Sequence, residues 1–357
     1  MNASCGSTIR SPFRMAFEAG ARSYMASLNA WNSVPMAMNP VLDSVVAKEW
    51  NVDGIVSTDA EAIAYAVSRH KYFPGSKEVI AASIKLGVNQ FLDNYAEPVR
   101  DALETDLISE SDIDHALRGK FRIVIRLGLL DPPSHAGEVD STQPEPWISP
   151  IDKDVALQIA REGIVLLKNT KGTLPLDRHA IKSIAVYGDH AGKVFEGFCS
   201  GEPPYTVTPV EGLQNKLGPN AKISVDHGSF GFGDRFAAAR DSDVAIVFVG
   251  NDPTCNRAFY FAHFDSDDSW CETPSDGVEN SDRRSLELSE EDLIKQVYAA
   301  NPRTIVVLLA DFPYTINWTE DHIPAILTMS QNAQEIGNAI ADVLFGDYNP
   351  AGHTVVT

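Results

Sequence analysis

Residues 244–249 read VAIVFV and residues 305–310 read IVVLLA. A strand apolar at every position has no face to offer water, so each run fits a sheet covered on both sides. Six residues also fall far short of the roughly 20 that a membrane-spanning helix needs. Such runs with helical patterns between them predict a parallel sheet held between helix layers, an α/β fold.

Two blocks of this kind flank a proline-rich stretch. In residues 1–130, RSYMASLN reads as a strand and NPVLDSVVAKEW as a helix opened by Pro40. DGIVST is a strand, AEAIAYAVSRH a helix, and SKEVIAASIKLG a helix closed by Gly87. VNQFLD reads as a short strand and YAEPVRDALET as a helix. Ile113, Leu117, Phe121, Val124 and Leu127 make a helical stripe, and Ser109 with Asp112 has the spacing of a capping box. Residues 131–150 carry prolines without periodicity and read as a linker. In residues 151–357, strands are expected at 164–168, Ser183–Tyr187, 222–225, 243–249, Thr304–Leu309 and Ala325–Met329. Helices are expected at 155–162, 235–240, 289–299 and 333–344.

Residues 250–288 break the alternation with a long polar and acidic stretch. Irregular segments beyond about 15 residues in a compact domain are usually functional or disordered. Phe259, Tyr260, Phe261, Phe264 and Trp270 argue against simple disorder, which is poor in aromatics.

With 49 acidic against 29 basic residues, the chain carries a formal charge of −20. That balance opposes nucleic acid and anionic membrane surfaces and suits neutral or cationic small molecules. Four scattered cysteines make no disulfide framework, although Cys255 and Cys271 share one loop, either free or bonded. The opening MNASCGSTIRSPFR lacks the apolar core of a signal peptide.

Several motifs suggest chemistry and then fail on spacing. GDHAGK (188–193) is one residue short of a phosphate loop, and Val194 stands where Ser or Thr must meet magnesium. GSFGFGD (228–234) lacks the dinucleotide spacing and reads as a turn. DSDDS (265–269) lacks the glycine and glutamate of a calcium loop, and no histidine pair has metal-ligand spacing. No cofactor or metal is expected.

Asp59 remains, at the end of DGIVST and just before a helical pattern. An acid there is a favoured helix cap. The carboxyl ends of strands are also where α/β proteins place reactive groups. By itself Glu279, in PSDGVENSDRRSL, is one solvated acid among several.

Taken together, several stretches resemble glycoside hydrolase family 3, the β-glucosidase and β-xylosidase family. KEWNVDGIVSTDAEA is similar to its nucleophile signature, and AREGIVLLKNTKGTLPL to the start of its second domain. SPFRMAFEAGARSYMASLNAWNSVP, SGEPPYTVTPVEGL, DSDVAIVFVGND, GVENSDRRSLEL and LFGDYNPAG occur in the family's order. The resemblance implies the C-terminal part of a (β/α)8-type barrel over 1–130, a linker over 131–150, and an α/β sandwich domain over 151–357. It implies Asp59 as nucleophile and Glu279 as general acid/base, with Met25 and Ser200 as substrate-binding positions. The partner would be an oligosaccharide or β-glycoside, cleaved with retention in a cleft between the domains. The acid must stay protonated near neutral pH, so a drier site is expected around Glu279.

The resemblance also carries departures. Leu28 stands where the family usually has Tyr, and Ser33 where Gly is usual. The chain matches from the last third of the family's first domain onward and stops early, so the usual sugar-holding Lys-His pair is not in it. The rival expectation is a non-catalytic or vestigial carbohydrate-binding fragment. Relatives are often secreted or periplasmic, but nothing in this sequence names the compartment.

Overall fold

The computed structural model describes residues 3–132, 148–195, 201–226, 234–251, 284–330 and 333–354. The chain divides into two compact units, Met1–Val139 and Asp140–Thr357.

The first unit opens with α1 (Ala3–Glu18), then β1 (Ser23–Ala26) and a small hairpin of β2 (Ala30–Trp31) and β3 (Val34–Pro35). β4 (Ile55–Thr58) lies parallel to β1, in register from Ser23 opposite Ile55 to Ala26 opposite Thr58. A Cβ on Gly54 would stand 1.6 Å from the Arg22 carbonyl oxygen, so only glycine lets β4 enter beside β1.

Four helices follow: α2 (Ala62–Ser68), α3 (Ser76–Lys85), α4 (Ala96–Glu104) and α5 (Glu110–Arg126). They close over a core of Ile63, Val79, Ile80, Ile84 and Ala102. The capping box of α5 is present: the Ser109 hydroxyl accepts from the Asp112 N–H, and the Asp112 carboxylate accepts from the Ser109 N–H at 2.8 Å.

Three expectations for this unit are corrected. NPVLDSVVAKEW forms a π-type turn over Leu42–Ala47 rather than an α-helix. Lys48 donates five residues back to Asp43, and Trp50 five back to Val45, and the wider turn buries Leu42 and Val46. VNQFLD makes one bridge, Gln90 beside Ser57, instead of a strand. The Asn89 side chain explains this: its Oδ1 accepts from Val56 N–H at 3.1 Å and its amide donates to the Gly54 oxygen at 3.0 Å. A side chain has taken the ladder positions that a strand backbone would fill.

The α5 stripe is rotated as well. Phe121 and Leu127 are exposed, whereas Ala116 and Ile123 are buried. Small residues set that rotation, because a Cβ on Gly119 would lie 2.4 Å from the Gly54 oxygen. Arg122 then fastens the approach with an ion pair to Asp53 at 3.0 Å.

The second unit begins with α6 (Pro150–Gly163), whose N-cap Ser149 accepts from Asp152 N–H, with proline at the first helical position. β5 (Val165–Asn169), β6 (Ser183–Tyr187), α7 (Pro209–Leu217), β7 (Lys222–Asp226), α8 (Ala237–Asp241) and β8 (Val244–Gly250) follow. After the 252–283 segment come α9 (Glu291–Ala300), β9 (Thr304–Leu309), α10 (Asn317–His322), β10 (Ala325–Met329) and α11 (Ile336–Phe345). The six strands form one sheet in the order β5-β10-β9-β8-β6-β7, parallel except for β5, which runs antiparallel on the edge.

Every residue of β8 and β9 is buried, as their uninterrupted apolar runs require. Val244, Ile246 and Phe248 point into a core with Leu213, Ile336 and Ile340. Ala245, Val247 and Val249 point into the opposite core with Ala239, Ile294 and Val297. The sheet is therefore covered on both faces by helices. Asp342 of α11, buried, is held by Arg161 of α6 and Lys216 of α7, which pairs three helices on one face.

Candidate active site

Because β1 and β4 are parallel, their carboxyl ends open on the same edge. Asp59 is the first residue beyond β4. Its N–H still donates to the Ala26 oxygen at 3.1 Å, which keeps it in register with the strand. Its Oδ1 accepts from the Ala60 N–H at 2.8 Å, and Oδ2 accepts no hydrogen bond among the described residues. Among the described residues the carboxyl is thus oriented by one bond, with its other oxygen unengaged.

The helix-cap expectation for Asp59 gives way here. α2 starts at Ala62, its N-cap position is Glu61, and no side chain caps it. Glu61 takes a left-handed conformation with φ of 58°. Asp93 holds that turn, its Oδ2 accepting from the Glu61 N–H at 2.6 Å and from the Tyr95 hydroxyl at 3.0 Å. Burial, reinforced by the Asp93 carboxylate, pushes the Tyr95 phenol well above its ordinary value, so it remains a donor. Sequence reasoning missed Asp93. Its role depends on the bridge that brings its stretch back to β4, which no sequence motif marks.

Met25 sits opposite Ser57 in the β1–β4 register and is 52% exposed, so it shares the edge with Asp59. Leu28 is packed onto the helical core, and its carbonyl accepts from His70 Nε2 at 2.8 Å. Glu279 and Ser200 lie outside the described residues, as do Cys255, Cys271 and DSDDS. A pocket of about 490 Å³ near the ends of α3, α4 and α5 is lined by Lys85, Leu107, Ser109 and Asp112 among others. Neither Asp59 nor Met25 borders it. Among the described residues no group of three His, Cys, Asp or Glu could hold a metal, and no helix is long and apolar enough to cross a membrane.

In the second unit the strand order reverses between β6 and β8, since the chain steps outward to β7 and returns to the other side of β6. The crevice beyond the carboxyl ends at such a reversal is where open α/β sheets place polar chemistry. Gly188 follows β6 with φ of +96°, and a Cβ there would lie 1.9 Å from the Phe248 oxygen. GDHAGK is accordingly a tight turn, Asp189–Ala191, pressed onto β8. That turn buries His190, whose Nε2–H donates to the Asn251 oxygen at 3.1 Å.

Glu290 faces the same crevice, its Oε1 at 4.0 Å from His190 Nδ1. Burial, with the Asp189 carboxylate adding repulsion, pushes the Glu290 carboxyl from the usual 4.5 up to about 7, against lowering bonds from Gly250 and Ser289. A carboxyl raised on folding stabilises the native state fully below its unfolded value and loses that contribution as pH rises toward 7. The span from 4.5 to about 7 corresponds to about 3 kcal/mol. Urea unfolding of the second unit should show this decline between pH 5 and 8, and Glu290→Gln should flatten it. A wild-type curve as flat as that of the variant would contradict the assignment.

The glycosyl hydrolase family 3 N-terminal domain matches residues 7–123, and the family 3 C-terminal domain matches residues 164–357. A probable β-D-xylosidase 7 from Arabidopsis thaliana is 28% identical over 98% of this chain and 45% of its own length. A β-xylosidase from Formosa agariphila is 29% identical over 96% of this chain and 48% of its own length. Among solved structures, a β-glucosidase from Erythrobacter marinus superposes with a TM-score of 0.75 at 25% identity, over 96% of this chain and 48% of that one. The chain thus spans less than half the length of these relatives. Two matched domains in the right order, one of them alone covering more than half of the residues, leave one assignment: the chain belongs to glycoside hydrolase family 3.

Proposed function

We propose that the chain carries the two catalytic carboxyls of a retaining β-glycosidase acting on terminal β-xylosides or β-glucosides. Asp59 is the nucleophile and Glu279 the general acid/base. The observation that carries this reading is the Asp59 carboxyl at a parallel strand end, oriented by Ala60 and not engaged as a helix cap. The likeness to β-xylosidases and a β-glucosidase supports the substrate class.

In the first step Asp59 Oδ attacks the anomeric carbon while the glycosidic C–O bond breaks. Glu279 gives its proton to the departing oxygen. In the second step water attacks the same carbon, Glu279 takes back a proton, and the bond to Asp59 is released. Retention demands the two carboxyls about 5–5.5 Å apart. Met25 and Ser200 are proposed as contacts to the sugar, Met25 from its exposed position on the strand edge.

Glu279→Ala tests the acid role in the chain joined to the upstream half of a relative. Poor leaving groups need protonation and should lose about 10²–10⁴-fold in turnover. Dinitrophenyl glycosides, which need little, should lose less than about tenfold, and azide should restore part of the rate by replacing water as the incoming nucleophile. Equal losses for both leaving groups would remove Glu279 from the acid role.

A further inference from the structure

The stretch holding Glu279 leaves the sheet at Asn251 and re-enters the described structure at Arg284, before α9. Asn251 and Glu290, which flank that stretch, both stand at the crevice at the carboxyl ends of β6 and β8. Asn251 is wholly buried, its N–H donates to the Leu309 oxygen at 3.2 Å, and its Oδ1 accepts from the Asp311 N–H at 2.9 Å. Its carbonyl takes the His190 Nε2–H. On the returning side, the Glu290 carboxyl accepts from the Gly250 N–H and stands 4.0 Å from His190. One imidazole and one carboxyl therefore touch both ends of a segment whose anchors are 39 positions apart, from 251 to 290.

We propose that His190 and Glu290 are positioning residues that fasten Asn251 and the start of α9 to one another at the carboxyl edge of the sheet. Their task is to fix where the span carrying Glu279 begins and ends, and in that respect the inference rests on Glu279 as the acid/base. An acid/base group misplaced by about 1 Å can cost roughly a hundredfold in rate, which gives such a fastening its value.

The fastening is sensitive to proton occupancy. The titratable groups facing Glu290 are Asp189, which repels its ionised form, and His190. Glu290 Oε2 is buried with no hydrogen-bond partner among the described residues, which favours the neutral acid. Opening the two ends hydrates the carboxyl and releases its proton, so opening becomes easier as pH rises through 7.

Hydrogen exchange of the 357-residue chain reads both ends directly and does not depend on catalysis. After correction for intrinsic exchange, protection of Gly250, Asn251 and residues 284–290 should fall together by about tenfold between pH 6 and 8. Glu290→Gln, which still accepts from Gly250, should keep protection at both ends and abolish its pH dependence. Glu290→Ala and His190→Ala should each loosen both ends together at pH 6 by about tenfold or more. If Glu290→Ala also strips β9 of protection, it has unfolded the unit, and the pH profile of Glu290→Gln decides. Ends that exchange independently, or a wild-type profile as flat as that of Glu290→Gln, would overturn the proposal. The leaving-group assay on Glu279 fails or holds separately.

Discussion

Asp59→Ala is expected to lower turnover of aryl β-xylosides and β-glucosides at least about ten-thousand-fold, for good and poor leaving groups alike. Without the carboxylate no glycosyl-enzyme bond can form, so leaving-group quality cannot compensate. The loss should be chemical rather than structural. Asp59 anchors the strand end through its backbone N–H to Ala26, which alanine keeps, and Glu61 occupies the N-cap position. Only the bond from Ala60 to Oδ1 disappears, worth about 1 kcal/mol. Rates are to be measured in the chain joined to the upstream half of a relative, since the chain spans about 45% of the length of its β-xylosidase relatives. Residual activity within a hundredfold of the parent would show that another group attacks the sugar.

Phe248→Ala is expected to destabilise the second unit by about 3–5 kcal/mol in urea unfolding. Phe248 is 0% exposed and sits mid-strand in β8. Its ring fills the core beneath α7 and α11, and the well-packed strands beside it, β6 and β9, can collapse only partly into the void. The effect reaches the crevice as well. β8 ends at Gly250, and the Phe248 carbonyl is the atom against which Gly188 packs. The exchange protection of Gly250 and Asn251 should therefore fall along with stability. A cost below about 1 kcal/mol would mean that the core is far more plastic than its burial indicates.

The sheet was legible in the sequence because its central strands are apolar at every position, and no other local structure uses such a run in so few residues. Ser183–Tyr187, Thr304–Leu309 and Ala325–Met329 have the bounds expected for them. The first unit was harder, because side chains there replace backbone interactions. Asn89 supplies bonds to Val56 and Gly54 that a strand would otherwise supply, so the apolar pattern of VNQFLD misleads. In α5, Gly119 and Ala116 decide which face packs, and a stripe counted from large residues points the wrong way. The π-type turn at Leu42–Ala47 has no periodicity of its own to announce it.

The candidate site was legible unevenly. Asp59 could be found from its place at a strand end, although its freedom from capping emerged only once α2 was seen to start at Ala62. Glu279 stands out solely through the likeness of its surroundings to a known family. Asp93, His190 and Glu290 were not legible. Their chemistry comes from neighbours such as Glu61, Asn251 and Gly250 and from burial, and no short motif encodes either.

The central claim is that Asp59 forms a covalent bond to the sugar. A 2-deoxy-2-fluoro glycoside with a good leaving group traps that bond, because fluorine slows both its formation and its hydrolysis while the good leaving group speeds its formation alone. After incubation with the joined chain, tryptic digestion and mass spectrometry should place the added sugar on the peptide of residues 49–69, which runs from the cut after Lys48 to Arg69. Fragmentation should then assign it to Asp59 rather than to Glu49, Asp53 or Glu61. A label on any other residue, or steady turnover with no label trapped, would contradict the account.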